Sequence, residues 1–255
     1  MQLSNIRLSN IRQRVAVRLN PFHAFLHPEA KAINAARLDH LASLGLPLHD
    51  RRVLEVGAGI GLLTEFFIDR GCSVLSTDAR SENVAEMRRR YPAREVTQLD
   101  LERADDVAAA GTFDIAYCYG TLYHLSNPEI VLRALAQVSS MLLLETCCTP
   151  GDTEDVNIVL EDLAVKNQAS SGLGCRPTRP WVLRRVRDLW GHAYVPITQP
   201  SHREFPLVWS DLPREVRPTD NTRAIFVGSR PPLDSALLTE DLPDVQLRVA
   251  AGGTT

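Results

Sequence analysis

The chain has no Cys-x-x-Cys pair, no long apolar run and no excess of positive charge. Without paired cysteines, a zinc site built on thiolates is not expected. Without a run of about 18 apolar residues, a membrane-spanning helix is not expected either. The net charge of −3 provides no overall attraction for nucleic acid or for an anionic membrane. What remains is the composition of a globular protein, with one sizeable domain and attachments.

The five cysteines are scattered along the chain, and most lie within apolar runs. An odd number of cysteines, without a recognisable signal peptide, favours reduced thiols. We therefore expect a cytoplasmic location.

The stretch from Val53 to Thr64 is the strongest local signal. A short apolar run typical of a buried parallel strand is followed by glycines at alternate positions, Gly57, Gly59 and Gly61. Glycine allows positive φ angles and a close approach of a ligand to the backbone. A helix predicted over residues 60–69 would direct its free N–H groups at this turn. The stretch therefore predicts a nucleotide-type binding edge.

An acidic residue follows each of the next two predicted strands, over residues 72–77 and 95–99. Asp78 comes 21 residues after Gly57, which is the spacing of an acidic residue that accepts hydrogen bonds from ribose hydroxyls. The alternative is that Asp78 caps the helix predicted over residues 81–90, although Ser81 can do this equally well. Asp100 occupies the corresponding position after the third strand.

The alternation of strands and helices continues with strands near residues 113–118 and 141–146 and a helix over 128–138. This order predicts a parallel sheet with right-handed crossovers. Ligands of such sheets bind at the carboxyl ends of the strands. The polar residues Tyr119, His124 and Glu145 fall at or near this edge.

The flanking segments predict the domain organisation. Residues 1–50 are expected to form an N-terminal helical segment, with a second helix over 28–44. Its first part, residues 1–20, is basic and partly apolar and predicts a frayed or docked helix, with a membrane-surface helix or a homodimer helix as the alternative. Residues 51–230 form the main domain, and residues 231–255 form a tail with at most a docked segment near 237–242.

Within the main domain, an insertion at about residues 149–178 is predicted to cover the ligand, with a helix from Glu154 to Asn167. Thr178 would cap the following helix. Strands are then expected over residues 194–198 and 222–229, and Pro196 suggests an edge position for the first of these.

The pattern from Glu55 through the three glycines, with Asp78, Asp100 and the Leu-Tyr-His sequence ending at His124, resembles the class I S-adenosylmethionine-dependent methyltransferases. The resemblance covers residues 50–147 motif by motif. It implies an α/β fold with a Rossmann-like, seven-stranded, mostly parallel sheet, an antiparallel last strand and helices on both faces.

The same resemblance implies S-adenosylmethionine as cofactor and assigns its contacts. Glu55 belongs to the glycine motif, whose turn from Gly57 to Gly61 would pass under the methionine and ribose. The other implied contacts are Asp78 with Ala79 for the ribose, Asp100 with Leu101 for the adenine, and Tyr119 with Gly120 for the methionine end.

The implied activity is methylation of an oxygen on a small hydroxylated acceptor, such as a sugar, a glycan or a natural product. His124 is the first candidate for the base, because a histidine titrates near neutral pH. The equal alternative is that His124 caps a helix or fills the core. Glu145 and His202 are the reserves. No carboxylate cluster indicates a metal site.

Three alternatives remain at the level of sequence. A nicotinamide-dependent oxidoreductase is disfavoured because Leu62 stands where the dinucleotide fingerprint needs glycine. An RNA methyltransferase is disfavoured because the chain has no excess of positive charge and lacks the Asn-Pro-Pro-Tyr motif. A non-catalytic binding protein with the same fold is the third alternative.

Overall fold

The computed structural model describes residues 21–163, 165, 168–213 and 221–249. The helix predicted over residues 1–20 and the last six residues of the predicted tail lie outside this described part.

The described chain alternates helices and strands as the sequence predicts. The helices are α1 (His23–Leu26), α2 (Pro28–Ser43), α3 (Glu65–Ile68), α4 (Ser81–Arg90), α5 (Ala104–Ala109), α6 (Pro128–Val138) and α7 (Arg179–Trp190), with a 3-10 turn at Leu122–His124. The strands are β1 (Arg52–Val56), β2 (Ser73–Asp78), β3 (Glu95–Gln98), β4 (Phe113–Tyr119), β5 (Ser139–Cys147), β6 (Ile158–Leu160), β7 (Leu173–Cys175), β8 (His192–Pro196), β9 (Thr198–Gln199), β10 (Arg223–Ser229), β11 (Leu238–Thr239) and β12 (Leu247–Arg248).

The main sheet has the strand order β11-β8-β10-β5-β4-β1-β2-β3. Strands β1 to β5 pair in parallel, whereas β10 is antiparallel to both β5 and β8. The predicted mostly parallel sheet with an antiparallel last long strand is confirmed. The sheet has eight strands rather than seven, because the short β11 pairs Leu238 with Pro196 at its margin. The sequence had suggested an edge position for Pro196, and this is wrong, because β8 has a neighbouring strand on each side.

Alternate residues of the central strands pack against helices on opposite faces of the sheet. Leu54 and Val56 contribute to one buried cluster, which includes Trp181 and Trp190 of α7. Val53 contributes to the other, with Leu41 of α2 and residues of α3. Helices on both faces were predicted and are confirmed.

The helix predicted over residues 60–69 is much shorter, since α3 begins only at Glu65. The reason lies in the preceding glycines. Gly57, Gly59 and Gly61 have φ angles of +62°, +59° and +76°, which interrupt a right-handed helix. The glycine turn is therefore not followed directly by a helix N-terminus, and the expected contribution of a helix dipole is wrong.

The predicted covering helix from Glu154 to Asn167 is also wrong. Residues 158–160 form β6, which pairs antiparallel with β7, Ile158 lying opposite Cys175. Val159 is buried, whereas its neighbours Ile158 and Leu160 are 54% and 78% exposed. This alternation is the two-residue period of a strand, and a short apolar run cannot be assigned to helix or strand by periodicity alone.

The C-terminal segment is attached more extensively than the predicted tail. Strand β11 lies within the segment expected to dock, but the contacts continue to β12, which pairs with β9. Gln246 links this segment to the main domain, because its side chain accepts a hydrogen bond from Trp209 Nε1 at 2.8 Å and donates to the Pro196 carbonyl at 2.6 Å. The division of the chain into domains stays a prediction.

Two further features concern the whole described part. All five cysteines are buried and free of disulfide bonds. None of the helices in the described ranges is both long enough and apolar enough to span a bilayer.

Candidate functional site

A cavity of about 1000 Å³ opens at the carboxyl edge of the sheet. It lies where β1 and β4 are neighbours, which is the point where the strand order changes direction and where α/β sheets bind ligands. Eight of the predicted site residues line it: Gly57, Gly59, Asp78, Ala79, Leu101, Tyr119, Gly120 and His124. Five do not: Glu55, Gly61, Asp100, Glu145 and His202.

The glycine turn lies against two other parts of the chain. A Cβ atom on Gly57 would be 2.2 Å from Oγ1 of Thr121, and one on Gly59 would be 2.5 Å from Cε1 of Phe25. Thr121 also donates a hydrogen bond to the Val56 carbonyl at 3.1 Å. A side chain at either glycine would therefore displace the loop after β4 or the aromatic ring from α1.

Glu55 acts behind the turn rather than in the cavity. Its Oε2 accepts hydrogen bonds from Thr64 at 2.6 Å and from Ser76 at 2.8 Å. Burial raises the pKa of Glu55, although these two hydrogen bonds oppose the shift. Glu55 thus ties β1 to the end of the turn and to β2. Gly61 also faces away from the cavity, since a Cβ atom there would meet Met87 of α4 at 3.3 Å.

Asp78 is buried and holds the turn in place. Its Oδ2 accepts from the Gly59 N–H at 2.9 Å, and its Oδ1 accepts from the Arg80 N–H at 2.9 Å and from Asn83 Nδ2 at 3.1 Å. Asp78 is therefore less free than the sequence argument assumed. A carboxylate offers about four acceptor positions, so capacity for a ligand hydroxyl remains. Burial raises the pKa of Asp78, and its three hydrogen bonds oppose this.

The end of β3 presents apolar rather than acidic groups to the cavity. Leu99 and Leu101 line it, whereas Asp100 does not. Oδ1 of Asp100 instead accepts from the Glu102 N–H at 3.0 Å, which closes the turn after β3. The prediction that Asp100 faces the ligand is therefore wrong. Neighbouring residues along a chain point in different directions, so a position at the end of a strand does not decide which one faces the cavity.

A buried charge network forms the wall below Tyr119 and Gly120. Arg37 donates to Glu145 Oε2 at 2.6 Å, and Arg223 donates to Glu145 Oε1 at 2.9 Å and to Glu204 Oε2 at 2.5 Å. Arg37, Arg223 and Glu204 line the cavity, but Glu145 is fully buried behind them.

Glu145 is therefore not placed to act as a catalytic base. Burial alone would raise the pKa of Glu145, but the charges of Arg37 and Arg223 outweigh burial and lower it. The ionised carboxylate orients the two arginines, which themselves face the cavity.

The two candidate histidines differ in position. His124 lines the cavity and contacts the carboxylate of Glu161 through Nδ1. His202 does not line the cavity, and its Nε2 lies 3.9 Å from the Glu29 carboxylate. The reserve role of His202 is not supported, because the structure places its ring beside the cavity wall and not in it.

Sequence reasoning missed several polar residues of the site, among them Asn34, Arg37, Glu161, Glu204 and Arg223. Asn34 and Arg37 are one helical turn apart on α2, outside the motifs from which the site was predicted. Glu161 was missed because the cover was predicted as a helix. Glu204 and Arg223 lie far apart in the chain, and no local pattern connects them.

Within the described residues, no three or more His, Cys, Asp or Glu side chains are grouped so that they could hold a metal ion.

Comparison with known proteins shows what parts of this chain are similar to. Residues 54–140 match the family described as "Methyltransferase domain". The Ubiquinone biosynthesis O-methyltransferase of Xanthomonas oryzae pv. oryzae (strain PXO99A) is 35% identical over 111 residues, which cover 42% of this chain and 46% of that protein. The protein of the same name from Bordetella avium (strain 197N) is 32% identical over 114 residues, covering 41% and 45%. The chain thus spans less than half the length of these curated relatives.

Solved structures show a similar fold over more of the chain. The N-terminal domain of EvdMO1 with SAH (S-adenosylhomocysteine) bound has a TM-score of 0.58 at 22% identity, covering 87% of this chain and 96% of that one. The same domain in the presence of SAH and D-fucose has a TM-score of 0.57 at 22% identity, covering 80% and 83%. Residues 54–140 are thus similar to a methyltransferase domain, and the chain has a fold similar to that of the SAH-bound EvdMO1 domain, with its cavity where β1 meets β4.

Proposed function

We propose that the protein transfers a methyl group from S-adenosylmethionine to an oxygen of a small hydroxylated acceptor. The observation that carries this proposal is one cavity that joins the glycine turn and Asp78 to His124. Its volume of about 1000 Å³ is at the upper end of the range for ligand pockets, which suits a donor and an acceptor together.

The donor half fits an adenosyl ligand. The turn at Gly57 and Gly59 has no side chains, so a ligand can approach its backbone closely. Asp78 retains acceptor capacity for a ribose hydroxyl, and Leu99 with Leu101 offers an apolar surface for the adenine. The matched methyltransferase domain and the SAH-bound structure of similar fold support the same cofactor.

Arg37 is the best candidate to bind the carboxylate of the methionine part. Its guanidinium lies beside Gly120, where a Cβ atom would be 3.1 Å from one of its nitrogens. It lines the cavity, and a guanidinium matches the planar geometry of a carboxylate. Its ion pair with Glu145 holds it in place from behind.

The acceptor half is polar, which favours a hydroxylated molecule such as a sugar. Asn34, Glu204, Asn221 and Arg223 line it with both hydrogen-bond donors and acceptors. The structure with D-fucose present supports a sugar by analogy of fold alone. The family match ends at residue 140, before most of this wall begins, so the names of the curated relatives do not identify the acceptor.

The protein contributes alignment and proton removal. The bound cofactor supplies a methyl group activated by its positive sulfur. Holding two reactants in line can contribute on the order of 7–11 kcal/mol to catalysis. His124 is the proposed acceptor of the proton from the acceptor hydroxyl, and its position in the same cavity as the glycine turn supports this role.

The proposal extends to the cellular compartment of the protein. Five buried free thiols support a reducing compartment, and hence the cytoplasm. A homodimer stays a prediction.

Calorimetric titration with S-adenosylmethionine, S-adenosylhomocysteine and NADH tests the cofactor. We expect both adenosyl ligands to bind and NADH not to bind. Binding of NADH alone would favour the oxidoreductase alternative. The acceptor is then sought by measuring S-adenosylhomocysteine release with a panel of free hexoses including D-fucose, sugar glycosides, catechols and a short RNA.

The outcome of the panel separates the remaining readings. Release with a sugar supports the proposal, and release with RNA alone overturns it in favour of a nucleic-acid substrate. Cofactor binding without turnover of any compound favours a non-catalytic protein of the same fold. His124→Ala provides the matched control, because it should bind the cofactor as the parent does.

A further inference from the structure

Glu161 follows β6 in the segment that covers the cavity, and three groups surround its carboxylate. Oε2 contacts Nδ1 of His124 and accepts a hydrogen bond from the Ala169 N–H at 2.8 Å. Oε1 lies 3.5 Å from both terminal nitrogens of Arg176. The carboxylate is held on both oxygens and is only slightly exposed, which fixes its position relative to the imidazole.

This contact leaves one ring nitrogen of His124 for the cavity. A carboxylate accepts hydrogen bonds and does not donate them, so it selects the form of the ring that is protonated on Nδ1. Nε2 makes no hydrogen bond to any residue within the described part of the chain. The neutral ring therefore offers Nε2 as a proton acceptor.

We propose that Glu161 is the positioning residue of the methyl transfer and holds His124 with Nδ1 protonated, so that Nε2 takes the acceptor proton. This inference rests on the proposed function. In the proposed step, the acceptor oxygen would form a bond to the methyl carbon as the carbon–sulfur bond breaks. The electron pair of the broken bond would stay on sulfur, which becomes neutral. The hydroxyl proton passes to Nε2, and the carboxylate of Glu161 stabilises the resulting imidazolium.

The charges around the ring agree with this assignment. Burial lowers the pKa of His124, the carboxylate of Glu161 raises it, and the nearby charges of Arg176 and Arg223 lower it further, with a net lowering. His124 is thus neutral near pH 7 and able to accept a proton. Burial raises the pKa of Glu161, but the contact with His124, the Ala169 N–H and the charge of Arg176 together outweigh burial and lower it, which keeps the carboxylate ionised. The ring of Tyr123 packs against the imidazole, with ring centroids 4.1 Å apart.

Nitrogen NMR of the full chain labelled with 15N-histidine reads the proton position without cofactor or acceptor. In the parent protein we expect the His124 signals of the neutral ring protonated on Nδ1. In Glu161→Gln we expect a lower pKa of His124 and a larger share of the Nε2-protonated form. Glu161→Asp should lie between the two. Glu154→Gln, on the same covering segment but exposed and paired with Arg184, should match the parent.

Kinetics with the acceptor that gives most turnover in the panel provide the second readout. Glu161→Gln should lower kcat at least about 10-fold at unchanged KM, and the loss should disappear when His124 is already alanine, because the two residues act as a unit. Two results would overturn the role of Glu161 while turnover itself persists. One is a His124 ring protonated on Nε2 in the parent protein. The other is a double variant in which the losses of kcat from the two single substitutions add. Absence of S-adenosylmethionine binding would instead overturn the proposed function, and the base role with it.

Discussion

Arg37 on α2 donates a 2.6 Å hydrogen bond to Glu145 on β5, and both side chains are almost completely buried. These residues are 108 positions apart in the chain. Their ion pair fixes the helix that precedes the methyltransferase domain to the central sheet. Arg223 of the antiparallel strand β10 shares the same carboxylate. One buried charge thus joins three segments at the wall of the cavity.

Removing this charge should strongly destabilise the protein. Glu145→Gln leaves the buried guanidinium of Arg37 without its counterion and leaves Arg223 paired with Glu204 alone, and we expect the free energy of unfolding to fall by about 3 kcal/mol. Glu86→Gln is the matched control, because Glu86 also pairs with two arginines, of which Arg89 is 68% exposed. That change should cost about 1 kcal/mol or less. Denaturant unfolding measures both, and equal losses would contradict the distinction between the two sites.

Asp78 should be essential for adenosyl ligands. Asp78→Ala removes a buried charged acceptor and leaves the Gly59 N–H without its partner. We expect the affinity for S-adenosylmethionine and S-adenosylhomocysteine to fall about 10-fold or more in calorimetric titration. Asp105→Ala, at an exposed position on α5, should leave both affinities unchanged. Unchanged affinity in Asp78→Ala, with a normal melting curve, would remove Asp78 from the site.

Gly57 and Gly45 allow two effects of alanine to be separated. Their φ angles are +62° and +65°, so both substitutions carry the same backbone strain, roughly 1–2 kcal/mol. At Gly45 nothing lies within 4 Å of an added Cβ atom, whereas at Gly57 it would overlap the side chain of Thr121. Gly57→Ala should therefore cost about 1–3 kcal/mol more in thermal unfolding. It should also weaken cofactor binding, which Gly45→Ala should not do. Equal costs would show that Thr121 moves aside freely.

His40 should make the protein sensitive to mild acid. The ring is fully buried on α2, with Nε2 3.1 Å from both the carbonyl and the hydroxyl oxygen of Thr198. Burial lowers the pKa of His40 to about 4, and the backbone hydrogen bond of Thr198 opposes this. A histidine in the unfolded chain titrates near pH 6.5. Between these values the unfolded state binds more protons, so stability is lost as the pH falls.

The contribution of neutral His40 to stability should be complete above pH 6.5 and should be lost below pH 4. The free energy of unfolding should fall by about 3 kcal/mol between these two pH values on account of His40 alone. His40→Gln has no titrating ring, so its free energy of unfolding should fall less over this range. The difference between the two proteins isolates His40 from the carboxylates that titrate in both. Parallel curves for the parent and the variant would show that His40 is not buried in its neutral form.

Local patterns predicted the architecture well, because they depend on residues that are neighbours in the chain. The helices at Ser81–Arg90 and Pro128–Val138 were predicted with the bounds that the structure has. The sheet class followed from the alternation of strands and helices. The predictions that were wrong, the helix over 60–69 and the covering helix, concern segments where left-handed glycines or a short apolar run leave periodicity ambiguous.

The candidate site was predicted only in part, for the same reason. The glycine turn and Asp78 were recognised because strand ends of a parallel sheet meet at one edge. Which neighbour faces the cavity was not predictable, as Asp100 and Leu101 show. The pairing of His124 with Glu161, 37 positions later, depends on the path of the covering hairpin.

The sequence by itself determined the fold class and the glycine turn proposed to bind the donor, since glycine spacing and strand order are local properties with a physical meaning of their own. Only the tertiary structure decided which charges are paired. It buried Glu145 between Arg37 and Arg223, made His40 neutral, and brought Glu161 to His124. The physical reason is that the ionisation and role of a side chain depend on its solvation and its partners, and both are set by residues distant in the chain.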